Sequence, residues 1–351
     1  MLATFYSREG MSMTRPRSTL VSLVDTAWYH CISRCVRRAF LCGVDTTTGQ
    51  CFEHRRGWVI TRAKELANLF AIDIAAYAIM SNHYHLVVRV DRVRAKSWDT
   101  TEVLMRWTQL FKGPLLVNRY LSIERMTMGR AEINRVEQFA EDYRQRLYDL
   151  SWFMRLLNEP IARQANAEDR CTGRFWEGRF TSQALLDEQA LLTVMVYVDL
   201  NPIRAGMAPT PETSGYTSIQ ERLQGEVFSV PSALPDLLDT DSIGLPQAPL
   251  MPFDATGRTP WAIPFSFEDY AELVDWTGRL RHPNKKGRIA EWQPAILART
   301  GLNTEAFIAF SGRLFKAFGS AIGAPDKLVA LSEDRQKKYL RGMQAARRVF
   351  T

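Results

Sequence analysis

No stretch of this chain approaches ~18 uninterrupted apolar residues, so nothing in it reads as a membrane span. The basic segment Met1 to Arg17 lacks the apolar run and small-residue cleavage site of a secretory signal. Cysteine is scarce: Cys31, Cys35, Cys42, Cys51 and Cys171 make an odd set of 5. They point to reduced thiols in a cytoplasmic protein rather than to a disulfide framework. Cys31 and Cys35 lie near His30 and His54 and so raise zinc, but the spacing matches no recognised finger. Internal repeats, low-complexity tracts and a phosphate-cradling glycine loop of the nucleotide-hydrolase type are all missing, so no nucleotide cofactor is expected.

What is present describes a soluble globular chain, with 46% hydrophobic and 24% charged residues over 351 positions. That length buries one substantial core, or one ordinary domain with a smaller companion. The net charge of +7 favours a polyanionic partner. Residues 251–351 hold 16 Lys and Arg against 10 Asp and Glu, whereas the rest of the chain holds 29 against 28. A nucleic-acid surface in the first part must therefore come from local clustering.

Along the chain, residues 1–24 are polar and expected to be loosely ordered. A strand is expected from Trp28 into the basic knot Arg34, Arg37 and Arg38. Helical spacing of Trp58, Ile60, Leu66, Leu69 and Phe70 predicts a helix over 55–70. The run from Ala75 to Val90 reads as strand, turn at Ser81-Asn82, and strand. Residues 92–150 are charged and helical in pattern, and a further helix is expected from Ser151 to Ala167. GRFWEGRFTS, from Gly173 to Ser182, reads as a loop with a short strand. Asp187 is placed to cap a helix that Asn201-Pro202 ends. Seven of the 16 prolines fall between Phe228 and Pro264, which reads as a linker over 226–264. Helical patterns then fill a basic C-terminal region, 265–351.

The most informative triplet is His83-Tyr84-His85. On a strand, residues two apart share a face, so both imidazoles project one way while Tyr84 projects into the opposite layer. Such a pair forms part of a metal site with open positions, or is simply two hydrogen-bonded strand histidines. Tyr197 and Asn201, four apart, can share one helix face. A phenol near a divalent ion can ionise and attack phosphorus, and the Asn201 amide oxygen suits a hard ion such as Mg²⁺ or Mn²⁺. The bland reading makes Tyr197 an amphipathic core residue. Arg174, Trp176 and Arg179, interleaved with Phe175 and Phe180, suit stacking on unpaired bases and pairing with phosphates, or else plug the core. Arg204 is placed to hold a phosphate or to cap its own helix.

YHCISRCVRRAF, YAIMSNHYHLVV, WFMRLLNEPIARQAN, GRFWEGRF and YVDLNPIRAGM occur in this order. Together, from Trp28 to Ser218, they resemble the IS200-type single-tyrosine transposases of the histidine–hydrophobe–histidine (HUH) class. The likeness is greatest to the branch associated with repetitive extragenic palindromes (REP). The resemblance implies an α+β fold whose ferredoxin-like antiparallel sheet carries helices on one face, within a nuclease domain over 25–225. It implies that His83 and His85 are the metal pair, Asn201 a third ligand and Tyr197 the nucleophile. The implied activity is metal-dependent nicking and rejoining of single-stranded or hairpin DNA through a 5′-phosphotyrosine. The implied setting is a monomer or homodimer at a bacterial-type nucleoid. Arg34, Arg37, Arg38, Arg174, Trp176, Arg179 and Arg204 would then grip DNA. Ser81 stands where the family usually has proline, and residues 92–150 exceed the compact members and suggest a helical insertion. A non-catalytic hairpin-binding regulator and a water-using metal nuclease are the rival readings.

Overall fold

The computed structural model describes residues 21–36, 41–44, 49–225, 244–280, 302–310 and 317–350. Arg37, Arg38, residues 1–20 and much of the proline-rich stretch lie outside these. Five strands form one mixed sheet: β1 (Trp28–Arg34), β2 (Ile72–Ile79), β3 (His83–Val90), β4 (Thr181–Leu185) and β5 (Ala321–Ile322), in the spatial order β2-β3-β1-β4-β5. The pairs among β1 to β4 are antiparallel, while β5, brought in by the C-terminal region, pairs parallel with β4. Helix α1 (Arg55–Leu69) links β1 to β2. Helices α2 (Arg92–Ser97), α3 (Thr100–Thr108), α4 (Leu115–Tyr120) and α5 (Arg130–Leu147) follow β3 and lead into α6 (Leu150–Glu168). Beyond β4 come α7 (Glu188–Asp199), α8 (Asn201–Arg204), α9 (Ser218–Gln224) and α10 (Phe267–Leu280).

The hairpin register decides what faces what. Ile32 of β1 stands opposite His85 of β3, and Arg34 opposite His83. His30, Ile32 and Arg34 therefore share a face with His83, His85 and Val87, while Tyr29, Cys31 and Ser33 share the other with Tyr84, Leu86 and Val88. On that second face the Tyr84 hydroxyl donates to Asn158 Oδ1 (2.6 Å), and Asn158 Nδ2 donates to Ser33 Oγ (2.9 Å). The Trp176 indole N–H donates to the Asn158 carbonyl (2.9 Å), which fastens the 173–180 loop to α6. Arg55, fully buried, ties the start of α1 to Glu168 and Asp169 at the end of α6.

The sheet is covered on both faces rather than one. Nearly every residue of β2 and β3 is buried, which an antiparallel sheet open to water on one side would not show. Helix α6 covers the Tyr84 face, and α7 packs against β2 and β3 over the histidine face. Small Ala76 and Ala78, opposite Val87 and His85, keep that side of β2 low enough for a helix to approach.

Helix α7 is anchored at both ends. Its N-cap Asp187 accepts from Ala190 N (2.7 Å) and from Ala324 N just beyond β5 (2.7 Å). At its C-terminal end Asp199 is wholly buried, accepting from Ser218 Oγ (2.5 Å), Ile219 N (3.0 Å) and the Tyr270 hydroxyl. These bonds join α7, α9 and α10. Burial raises the Asp199 pKa, although Ser218, Tyr270 and Arg222 pull it back. We expect Asp199→Ala to lower the unfolding free energy by about 3–5 kcal/mol, because three donors lose their acceptor and half-buried Arg222 loses a neighbouring negative charge. Urea titration followed by tryptophan fluorescence checks this, and a loss below about 1 kcal/mol would mean the network is not holding α7.

Candidate active site

Tyr197 comes to the histidine face from the last turn of α7. The strongly apolar sequence from Leu191 to Val198 buries α7 nearly all round, and Tyr197 is the partly exposed residue within that run. Its ring centre lies 5.6 Å from that of His85 and 6.1 Å from that of His30, edge-on to both. His83 and His85 have ring centres 4.9 Å apart at 75°. Leu200 separates α7 from the short turn of α8, whose first residues are Asn201 and Pro202. Asn201 Nδ2 donates to the Tyr197 carbonyl (3.0 Å), and Arg204 Nη1 donates to the same oxygen (3.1 Å). The Arg204 guanidinium also lies over the Tyr197 ring, 5.1 Å from its centre. Arg204 thus bonds the last turn of α7, the helix before its own, and places its charge beside the phenol.

The residues expected from sequence therefore separate into two groups. His83, His85, Tyr197, Asn201 and Arg204 are brought together, with Arg34 near enough to disfavour protonated His83 and His85 and to oppose the burial that raises the Tyr197 pKa. Arg174 and Arg179 are exposed on the loop that continues the pairing of β1, where Val36 N donates to Phe175 O and Glu177 N to Arg34 O (2.9 Å each). Trp176, half-buried, spends its N–H on Asn158 and packs edge-on against Tyr84 and Phe175. Those contacts make it a structural pin of the loop. The zinc grouping does not form: His30 bonds to His85, exposed His54 pairs with Glu168 (2.9 Å), and Cys31 faces the opposite side of the sheet. Among the described residues no three His, Cys, Asp or Glu side chains gather as a metal cage.

Two participants were not legible in the sequence. His30 Nε2 lies 2.9 Å from His85 Nδ1, and His30 Nδ1 lies 3.2 Å from Gln183 Oε1. The His30 and His85 rings are within 14° of coplanar with centres 5.2 Å apart, which is an edge-to-edge hydrogen bond and not a stack. His30 and Gln183 are direct cross-strand partners, and His85 is the diagonal neighbour of His30. A YH pair on an amphipathic strand was visible, but which residues would face it depends on register.

Whether this donor set suits a hard divalent ion turns on the imidazole nitrogens. His83 Nδ1 lies 2.7 Å from Asn82 Oδ1, which can only accept, so the proton sits on Nδ1 and the Nε2 lone pair is open. His85 Nε2 is buried and has no hydrogen-bond partner. Metal–nitrogen bonds of about 2.1 Å set two adjacent imidazole ligands with ring centres roughly 5 Å apart, close to the separation here. The pair fits a cation, and Asn201 Oδ1 offers a third, oxygen donor from the Tyr197 side.

Burial, partly offset by the Gln183 bond, lowers the His30 pKa from 6.5 to about 4. Burial and then Arg34 take His83 to about 4, and burial, reinforced by the neighbouring histidines, carries His85 well below its ordinary value. All three are neutral at physiological pH, the form that binds metal. An unfolded His30 takes up its proton near pH 6.5 and the folded one near 4, so the unfolded chain binds more protons between them. Stability is therefore full above that window and is lost as the pH falls through it, by on the order of 3 kcal/mol for fully buried His30. We expect urea midpoints to drop from pH 6.5 to 4 and the drop to be shallower in His30→Gln. Equal slopes in the two proteins would contradict the assignment.

Comparison with known proteins adds little to this geometry. No family model matches the chain, and no curated protein does. Among solved structures, one described as a REP-associated tyrosine transposase bound to a REP hairpin is similar at 11% identity and a TM-score of 0.32. The match covers 61% of this chain and 89% of that one. The overlap is loose, and the functional reading rests on the residues above. No described helix is long and apolar enough to cross a membrane.

Proposed function

We propose that this chain is a metal-dependent DNA strand-transfer enzyme that nicks and rejoins single-stranded or hairpin DNA with Tyr197 as nucleophile. The observation that carries the reading is the meeting of Tyr197 with the His83–His85 pair, from elements more than 100 residues apart in sequence, on one face of the sheet. The β-α-β-β-α-β order of the first four strands, with sheet order β2-β3-β1-β4, supports a ferredoxin-like description of the core. His83, His85 and Asn201 of one chain meet Tyr197 of the same chain, which favours a site complete within a monomer, whether or not two copies associate.

His83 and His85, with Asn201, would hold Mg²⁺ or Mn²⁺. Such an ion, when bound, supplies positive charge to a phosphate oxygen and lowers the pKa of a nearby phenol. Desolvation raises the Tyr197 pKa above its usual 10.0, and Arg204, Asn201 and Arg34 act against that rise. Tyr197 loses its proton to water, its Oη–P bond forms, the P–O3′ bond breaks, and the departing 3′ oxygen takes a proton from water. The products are a 5′-phosphotyrosine and a free 3′-hydroxyl. Because the phosphodiester is exchanged and not hydrolysed, a second 3′-hydroxyl can reverse the step without ATP. Arg34, Arg174 and Arg179 stand along one end of the sheet where the phosphate backbone would run.

The reading is tested by incubating the chain with labelled single-stranded hairpins and Mn²⁺, then running denaturing gels. A metal-dependent protein–DNA adduct is expected. Hairpin binding with no adduct under any metal would favour a regulator that has kept the fold.

A further inference from the structure

Four groups on three strands and their flanks form a line that ends at the open nitrogen of His85. Gln183 Nε2 donates to the Gly319 carbonyl (2.6 Å), which orients the amide and turns Oε1 toward His30. An amide oxygen only accepts, so His30 carries its proton on Nδ1. A neutral imidazole has one N–H, so His30 Nε2 is an acceptor, and His85 Nδ1, 2.9 Å away, must be the donor. His85 in turn has no proton for Nε2, the buried atom without a partner.

We infer that Gly319, Gln183 and His30 form a positioning relay that holds the His85 proton on Nδ1 and so presents its Nε2 lone pair to a divalent cation. The inference rests on the reading of His83 and His85 as a metal pair and deepens it by assigning roles to three residues outside the donor set. It also gives the C-terminal region a part in the site. Gly319 precedes β5, Ala184 N donates to Ser320 O (2.9 Å), and Leu186 N donates to Ile322 O (2.9 Å), so the strand that docks this region fixes the first acceptor of the line. Metal-binding histidines are commonly oriented by the bond made at their other nitrogen, and losing that partner typically costs 10–100-fold in metal affinity.

The relay runs in one direction only while Gln183 faces His30 with oxygen. In Gln183→Leu, His30 loses the Gln183 oxygen that holds its proton on Nδ1 and can move that proton to Nε2. It would then donate to His85 Nδ1 and drive the His85 proton onto Nε2, where it blocks the metal. In His30→Gln an amide oxygen can still accept from His85 Nδ1, whereas His30→Leu offers no acceptor.

The experiment is ¹⁵N NMR of histidine-labelled, full-length protein without metal, which reads the tautomer of each of its 5 imidazoles directly. It is paired with Mn²⁺ affinity from electron paramagnetic resonance. Wild-type His30 and His85 are expected as Nδ1–H tautomers. Gln183→Leu and His30→Leu should shift His85 toward Nε2–H and weaken Mn²⁺ binding by about 10–100-fold, with His30→Gln restoring most of it. A wild-type His85 protonated on Nε2 overturns the relay outright, whatever the variants do. So does Mn²⁺ affinity unchanged in Gln183→Leu. Failure of the wild-type chain to bind Mn²⁺ would sink the metal reading itself, and the two failures are told apart because the tautomers are read without metal.

Discussion

Tyr197→Phe is expected to abolish the covalent protein–DNA adduct, lowering nicking by at least about 10³-fold, while leaving the fold and Mn²⁺ affinity within about twofold of wild type. The substitution removes one oxygen and keeps the ring that meets His30, His85 and Arg204 edge-on or face-on. Burial keeps the phenol protonated, so the substitution removes no charge from the fold. The bonds that shape the turn after α7 are donated by Asn201 and Arg204 to the Tyr197 backbone carbonyl, and they survive the change. A variant that is folded, binds metal and grips the hairpin but forms no adduct isolates chemistry from binding. Quantitative single-turnover cleavage measures the loss, and a residual rate within tenfold of wild type would remove Tyr197 from the mechanism.

The second large effect is expected at the histidine pair, where the two positions should part company in stability. His83 is partly exposed and bonds locally to Asn82, so His83→Ala should leave the urea midpoint nearly unchanged. His85 is buried and is the partner of His30, so His85→Ala also strands a buried nitrogen at a cost of about 1–3 kcal/mol. Both should lose at least about 100-fold in Mn²⁺ affinity, and both should fail to form the adduct at micromolar metal. Rescue of His83→Ala by raised Mn²⁺ would agree with a ligand that is missing rather than a fold that is broken. Full activity in either variant would contradict the metal pair.

Much of this was readable from local pattern. The alternation across HYHLVV put two imidazoles on one face and Tyr84 on the other, and the structure has them so, with Tyr84 bonded to Asn158 behind the sheet. Asp187 caps α7 as its place before an apolar helical run required, and Asn201-Pro202 opens the separate turn that carries Arg204. What stayed hidden depends on partners distant in sequence. His30 alone is an unremarkable strand residue, and it gains meaning only when the register sets Gln183 opposite and His85 diagonal. Strand β5 is two residues long, too short to show a period, yet it extends the sheet and presents Gly319. Trp176 was legible only in part: aromatics among arginines suggested base stacking, and the structure adds that its N–H is committed to Asn158 within the fold. Buried Asp199, two residues from Tyr197, gains its meaning only when Ser218 and Tyr270 converge on it.

The central claim is that Tyr197 becomes esterified to the 5′ end of a broken strand. The direct measurement is mass spectrometry of the nuclease-trimmed, protease-digested adduct formed with Mn²⁺ and a hairpin of known sequence. The account predicts a peptide spanning Tyr197 that carries a nucleotide through its 5′ phosphate, with the complementary fragment ending in a 3′-hydroxyl. Cleaved DNA bearing a free 5′ phosphate, with no modified tyrosine peptide and with cleavage intact in Tyr197→Phe, would show that water is the nucleophile and the account is wrong.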